Sequence, residues 1–323
     1  MRFFWIILLV LSLPGCGSIN LVPTQAPLLR LNEIHPLGAT EVEFNASGSM
    51  IATGGYLGEI YIWRVPEGKK LYTLKQHEHR VTGLVWVNDK TLISASEDGQ
   101  ITVWDIKQQK VLHTVTRSQV NSIVFMRDRS MVVSGHEDGK VYQWQYPELK
   151  ELDSKQLSAA VRSIARQPHK PQLAIATDDS KVGIYSLKLS LQRTLPTAGK
   201  DIQALRYSPD GQQLAAGTWF DLLFWDLHTG KLSIKKTEHI GAIISLDYSP
   251  DGQHIVTLGR HTDANIRIRR VNADTFERRL RAHNLCGFHI RYGPNGKYVA
   301  SASEDASVRL YDVSKPYNPT WGE

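Results

Sequence analysis

Two cysteines in 323 residues, Cys16 and Cys286, leave no material for a disulfide framework. There is no Cys-x-x-Cys, no His-Glu-x-x-His and no Gly-x-Ser-x-Gly, which removes the zinc, zinc-protease and nucleophile-elbow chemistries built on those spacings. No glycine-rich loop opens a helix, so the usual phosphate cradle is missing. No apolar run reaches the roughly 20 residues that a membrane-spanning helix needs. After residue 16 nothing carries helical periodicity. Charge of one sign is scarce too. The formal balance is +6, and removing residues 1–15 takes away only Arg2. Such a mild excess suits acidic partners or anionic headgroups but is no nucleic-acid signature, and no nucleic-acid partner is expected. Hydrophobic content of 41% is enough to bury a sizeable core.

The first sixteen residues read separately. Arg2 gives a positive start, Phe3 to Leu11 is an unbroken apolar run, and small residues follow. That is the layout of a secretory signal. Leu13-Pro14-Gly15-Cys16 resembles a bacterial lipobox, although Pro14 departs from the small or hydroxylated residue usual at that place. The resemblance implies a signal peptide over 1–15, lipid on Cys16 that holds the protein to a membrane, and a tether over 16–27. Gly17, in place of an Asp, implies sorting to the outer membrane, facing the periplasm. With Cys16 lipidated, Cys286 has no intramolecular partner and is expected as a small packing residue.

What the sequence has in plenty is repetition. Aromatic-ended strands close at Trp63, Trp104, Trp144, Tyr185, Trp225 and Tyr311, with a degenerate copy closing at Arg269. Each copy holds the same order: an inner strand opening on a β-branched residue such as Val81 or Val120, a turn such as Ser208-Pro209-Asp210-Gly211, a small apolar strand, a tight turn such as Glu97-Asp98-Gly99, the aromatic strand and a polar outer strand. Four short strands per unit of about 41 residues is one propeller blade, and blades bury both sheet faces only by packing radially into a ring. The fold class is therefore all-β: a single seven-bladed β-propeller over 28–313, with four antiparallel strands per blade and a short tail over 314–323. The seventh copy lacks an outer strand. Leu28 to Asn32 has no unit of its own and is expected to supply it, which leaves no open edge.

The pattern resembles WD-repeat propellers. Trp104-Asp105 and Trp225-Asp226 are the dipeptide that names the family, and Tyr311-Asp312 is a near copy. The family's polar set within a blade matches His77, Ser94, Asp98 and Trp104 in blade two. It matches His283, Ser301 and Asp305 in blade seven, where Tyr311 replaces the tryptophan, and only in part in blade three, while blades one, four, five and six depart further. The set is structural by implication, because buried polar groups must be paired, and it is not a catalytic triad. His77, His239 and His283 recur at one repeat position, so they call for no metal. His77 with His79, and His261 with Asp263, are expected as exposed loop residues without one. The Asp98-Gly99 and Asp138-Gly139 turns offer too few carboxylates for calcium. Neither metal nor cofactor is expected.

The resemblance implies that partners bind on loop faces. The residue before the turn Asp points to one such face, and Glu97, Glu137, Asp178 and Glu304 make it acidic there, softened by Arg80, Arg117 and Lys200. Over blades five and six the matching turns carry Trp219, Phe220, Arg260 and His261 instead. Aromatic and arginine residues are favoured binding anchors. The expected function is a monomeric, lipid-anchored scaffold for a protein or peptide partner, with no enzymatic activity. An enzyme or small-ligand sensor that uses the central channel is the competing expectation, and a third drops the lipid and keeps the protein in the cytoplasm.

Overall fold

The computed structural model describes residues 23–32, 34–260 and 263–320. Seven sheets of four antiparallel strands stand side by side around a channel. Their inner strands are Ala39–Phe44, Val81–Asn88, Val120–Met126, Val161–Arg166, Ala204–Tyr207, Ala242–Tyr248 and Gly287–Tyr292, which number the blades one to seven. Each strand of six or so residues alternates its side chains between two neighbouring blades, and apolar clusters fill every gap between blades. The only helical turn among the described residues is the 3-10 turn Arg127–Arg129.

The ring closes as the repeat predicts. Leu29–Leu31 forms the outer strand of blade seven and pairs antiparallel with Val308–Asp312, with Leu29 opposite Leu310. The tether expectation needs correction at its end. Thr24 exchanges main-chain hydrogen bonds with Thr320, and the Gln25 amide donates to the Arg279 carbonyl, so these two residues are docked on the rim. Cys16 and the whole predicted signal lie outside the described residues. Cys286 is buried, as expected, but it is disulfide-bonded and not unpaired, and its partner lies outside the described residues.

Around the channel, side chains of one inner strand hold the backbone of the next. Thr40 donates to the Val81 carbonyl at 2.8 Å, Thr82 to Val120 at 2.6 Å, and Asn121 to Val161 at 3.1 Å. The Ser122, Ser163 and Ser245 hydroxyls accept the amides of Ile164, Leu205 and Ile290. These serines sit at multiples of the repeat spacing. Blade five has Ala204 at that place, and there the Arg206–Asp247 ion pair at 3.2 Å bridges to blade six. Arg291 and Glu43, 2.7 Å apart, join blade seven to blade one.

The polar sets are more widespread than the sequence suggests. In blade two His77 meets the Asp98 carboxylate at 3.1 Å and Ser94 at 2.6 Å, and the Trp104 indole donates to Ser94 at 2.8 Å. Blade seven repeats this with His283, Asp305 and Ser301, and the Tyr311 hydroxyl donates to the Arg281 carbonyl. Blades one and six, expected to depart further from the set, hold altered versions of it. In blade one His35 bonds Glu59 and Thr53, and Trp63 donates to Thr53. Leu57 occupies the Asp position of that turn, and the longer Glu59 side chain reaches in from two residues on. In blade six His239 bonds Asp263 at 2.6 Å and Thr257 at 2.8 Å, and Arg267 lies 3.3 Å from the same carboxylate. Asp263 is thus fully buried and not an exposed loop residue.

Burial lowers the pKa of His35, His136, His239 and His283, which keeps these rings neutral. Asp98, Asp263 and Asp305 are held below the usual carboxylate range against the opposing effect of burial, chiefly by their histidine partners. For both residue types the unfolded chain binds protons more readily than the folded one, so stability falls as pH falls. The histidine contribution is lost below the unfolded value of about 6.5, and the carboxylate contribution in the acid range below it. The melting temperature is therefore expected to drop steadily from pH 7.5 to pH 5, and a flat profile over that window would contradict the neutral-histidine assignment. Ser163→Ala and Ser245→Ala should each cost about 1 kcal/mol in chemical denaturation, since each leaves a buried amide without its acceptor.

Candidate partner-binding face

The tight turns between second and third strands and the loops between blades emerge at one end of the ring. Six large hydrophobic side chains are exposed there: Leu37, Leu57, Trp219, Phe220, Ile240 and Leu285. They follow one another over blades five, six, seven and one. Among the described residues the turns of the opposite end expose none; the remaining exposed ones lie on outer strands or, in Leu28, just before Leu29–Leu31.

Phe220 is the unusual member. Its φ is +69°, and its place in the blade-five turn is that of Gly58, Gly99 and Gly139, with φ near +80°, and of the small residues Ser180 and Ala306, with φ of +60° and +59°. A left-handed conformation costs an ordinary residue roughly 1–2 kcal/mol, and a bulky one in it is uncommon. The side chain is nevertheless 47% exposed, so no core packing compensates for the strain. The Phe220 amide donates to the Gly241 carbonyl, the Thr237 amide and hydroxyl donate to the Phe220 carbonyl, and Trp219 bridges to Ala242. These bonds fix the turn against the loop that carries Ile240, which is 64% exposed. The Trp219 and Phe220 rings lie 5.9 Å apart. Beneath them Lys200 and Lys236 converge at 2.7 and 3.2 Å on the fully buried Asp221, whose pKa they lower against the effect of burial. Two lysines thus flank the aromatic pair, a feature that spacing alone did not reveal.

The expected acidic patch is corrected. Each of its residues already has a partner. Glu97 pairs with Arg80 at 3.3 Å, Glu137 accepts from Asn121 at 2.7 Å, and Asp178 takes both nitrogens of an Arg162 fork at 2.7 and 2.8 Å. Glu304 pairs with Arg260 at 3.0 Å, so a residue assigned to the basic side neutralises one assigned to the acidic side. The Arg260 guanidinium also stacks over Phe288 at 4.2 Å, with Arg80 on the same ring at 5.4 Å. Arg260 is therefore packed into the channel mouth and does not stand beside Trp219 as a free anchor. His261 lies outside the described residues. Three of the four acids are thus ion-paired and Glu137 is held by an amide, so apolar against paired polar surface divides this face more than acid against base.

Deeper in the channel Glu41 and His289 lie 2.8 Å apart. Burial pushes the Glu41 carboxyl up to about 8 and holds His289 well below its usual value. Burial thus disfavours the charged form of each group. Among the described residues no cluster of histidine, cysteine and carboxylate groups is fit to hold a metal ion.

A model of the DDB1- and CUL4-associated factor 12 beta propeller matches residues 15–285, and one of the WD domain, G-beta repeat, matches residues 275–312. The chain is 28% identical over 240 residues to meiotic fizzy-related protein 1 of Schizosaccharomyces pombe, covering 70% of this chain and 56% of that protein. It is 26% identical over 293 residues to the periodic tryptophan protein 2 homolog of Neurospora crassa, covering 78% and 32%. With autophagy-related protein 16 of Arabidopsis thaliana it shares 23% over 305 residues, covering 93% and 52%. The chain spans between a third and little more than half of these relatives' lengths. With its seven repeated blades, its closing strand and the His–Ser–Asp–Trp set of blade two, the chain belongs to the WD-repeat β-propeller family.

Proposed function

We propose that this propeller is a non-enzymatic scaffold that captures a protein or peptide partner on the Trp219–Phe220 turn and the apolar arc running from Ile240 to Leu57. The observation that carries the reading is Phe220: a strained, exposed aromatic where three sister turns place glycine and two place the small residues Ser180 and Ala306. Strain that no packing offsets is a pointer to use. Large aromatics bury much area at small conformational cost, and neighbouring Lys200 and Lys236 would favour a partner with carboxylates beside its apolar anchor. Phe220→Gly removes the strain and should leave the melting temperature unchanged or raised. A photocrosslinker at position 240 should form a discrete adduct in the native envelope, and Trp219→Ala with Phe220→Ala should remove it. An adduct of undiminished yield in that double variant would sink the reading.

The scaffold is proposed to be lipid-anchored in the bacterial envelope, on the outer membrane, through Cys16. The support is the Leu13-to-Cys16 motif behind its apolar run. Cys16 is the chain's other cysteine, so acylation and the Cys286 disulfide compete for one sulfur. Acylated protein should label with palmitate, lose the label in Cys16→Ser and release one free thiol per chain on denaturation without reductant. No label and no free thiol would instead assign Cys16 to the disulfide.

A further inference from the structure

The channel wall is divided lengthwise. Blades two, three and four present Val85, Val124 and Ala165, while blades five, six, seven and one present Arg206, Asp247, Arg291 and Glu43. At the end opposite the Trp219–Phe220 face these residues enclose a cavity of about 350 Å³. That is within the range of small-molecule sites, about 300–1,000 Å³. Its charged lining is Arg127, Arg166, Arg206 and Arg291 against Glu43 and Asp247. Arginines outnumber carboxylates two to one, unlike the opposite mouth, where Arg80, Arg162 and Arg260 each have an acid of their own.

Several donors here are unused. Arg206 is tied to Asp247 through Nε alone, and no described residue accepts from its terminal nitrogens. Arg291 uses Nε on Glu43 and Nη1 on the Ile290 carbonyl, which leaves Nη2 over. Arg127 is fixed by the carbonyls of Trp86 and Val87, which orient a guanidinium without neutralising it, and the adjacent Asp128 turns to Arg129. Arg166 makes no hydrogen bond or ion pair with any described residue, although it stands at the cavity wall open to water. Burial first and then the nearby Arg127 charge lower its pKa, with Asp128 opposing them. Tyr207 lines the same cavity at 6% exposure, and its hydroxyl has no hydrogen-bond partner. Buried hydroxyls are seldom left so.

We infer that this end of the channel is a binding site for a small polyvalent anion bearing phosphate or carboxylate groups. Guanidinium forks match the geometry of both groups, and charge-assisted bonds to them are the strong ones. Two of the four arginines already have carboxylates, so the site carries two positive charges to satisfy. The Val85, Val124 and Ala165 wall takes the carbon skeleton, and the Tyr207 hydroxyl gains an acceptor. The site is separate from the partner-binding face and stands whether or not that face is used.

The same chemistry is offered by a free anion and by the headgroup of an acidic lipid, and two arms separate them. In the first, pyrophosphate and citrate are titrated into the full chain by calorimetry, with melting temperature followed in parallel. Saturable binding is expected, with thermal stabilisation that grows with ligand concentration and weakens as salt rises. In the second, the chain is sedimented with phosphatidylglycerol or phosphatidylcholine vesicles. Arg166→Ala should weaken binding by about tenfold or more, the effect of one lost charge-assisted contact, without lowering the unliganded melting temperature. Arg129→Ala, on the same end but outside the cavity, should bind as the native chain does. Arg166-dependent binding of the soluble anions assigns a free ligand, and Arg166-dependent sedimentation with acidic vesicles alone assigns a headgroup. No saturable binding in either arm, or binding that Arg166→Ala leaves unchanged, overturns the inference.

Discussion

Side chain to backbone bonding between neighbouring inner strands is the constraint on which the rest of this structure depends. A blade has two apolar faces and cannot bury either one alone. Radial packing solves that problem only if the blades are held at the spacing that closes a ring. Thr40, Thr82 and Asn121 reach forward to the next blade's carbonyls, and Ser122, Ser163 and Ser245 receive the next blade's amides. Where blade five lacks the serine, Arg206 and Asp247 take over with charge. Such groups are buried enough that losing a partner costs more than forming the bond gains, so the belt sets register as well as strength.

The same rule of pairing governs charge. The chain is rich in arginine, yet at the partner-binding end each acidic turn residue is met by a basic or amide side chain a few ångströms away. What is left to recognise a partner is apolar surface, laid over blades five, six, seven and one. At the other end the balance is not completed, and Arg166 forms no ion pair with any described residue. The two ends of one channel thus differ in what they ask of a ligand.

Seven blades, their strand order and the closing role of Leu28 to Asn32 were legible because each follows from a period and from what one strand lacks. The polar sets of blades two and seven were legible because they keep the spacing. The set of blade one was not, because Glu59 acts from a position two residues beyond the usual aspartate and only side-chain length reveals the substitution. The set of blade six was hidden because its longer turn moves Asp263 away from the neighbouring copies, although Asp263 still stands six residues before Arg269, as Asp98 stands six before Trp104. Trp219 and Phe220 stood out as large aromatics in a turn. That Phe220 holds its place in a strained backbone conformation became visible only from its φ. The acidic face failed as an expectation because pairing across a loop depends on which side chains meet in space. The inter-blade belt does have a signal in the period, since Ser122, Ser163 and Ser245 share one repeat position, but the larger aromatic strands mask it.

The outer strand Leu29–Leu31 has a temporal consequence. It is made before the inner strand of blade one and its partner near residue 310 after the other six blades, so the contact that completes blade seven spans the whole ring. Loop-closure entropy makes such a contact the hardest to form without help from the intervening blades. A nascent chain can stack blades one to six in order as they emerge, but it presents an unsealed seam until the residues around Val308 are synthesised. A chain that stops short keeps an exposed sheet edge, and exposed edges are what aggregation and quality control recognise.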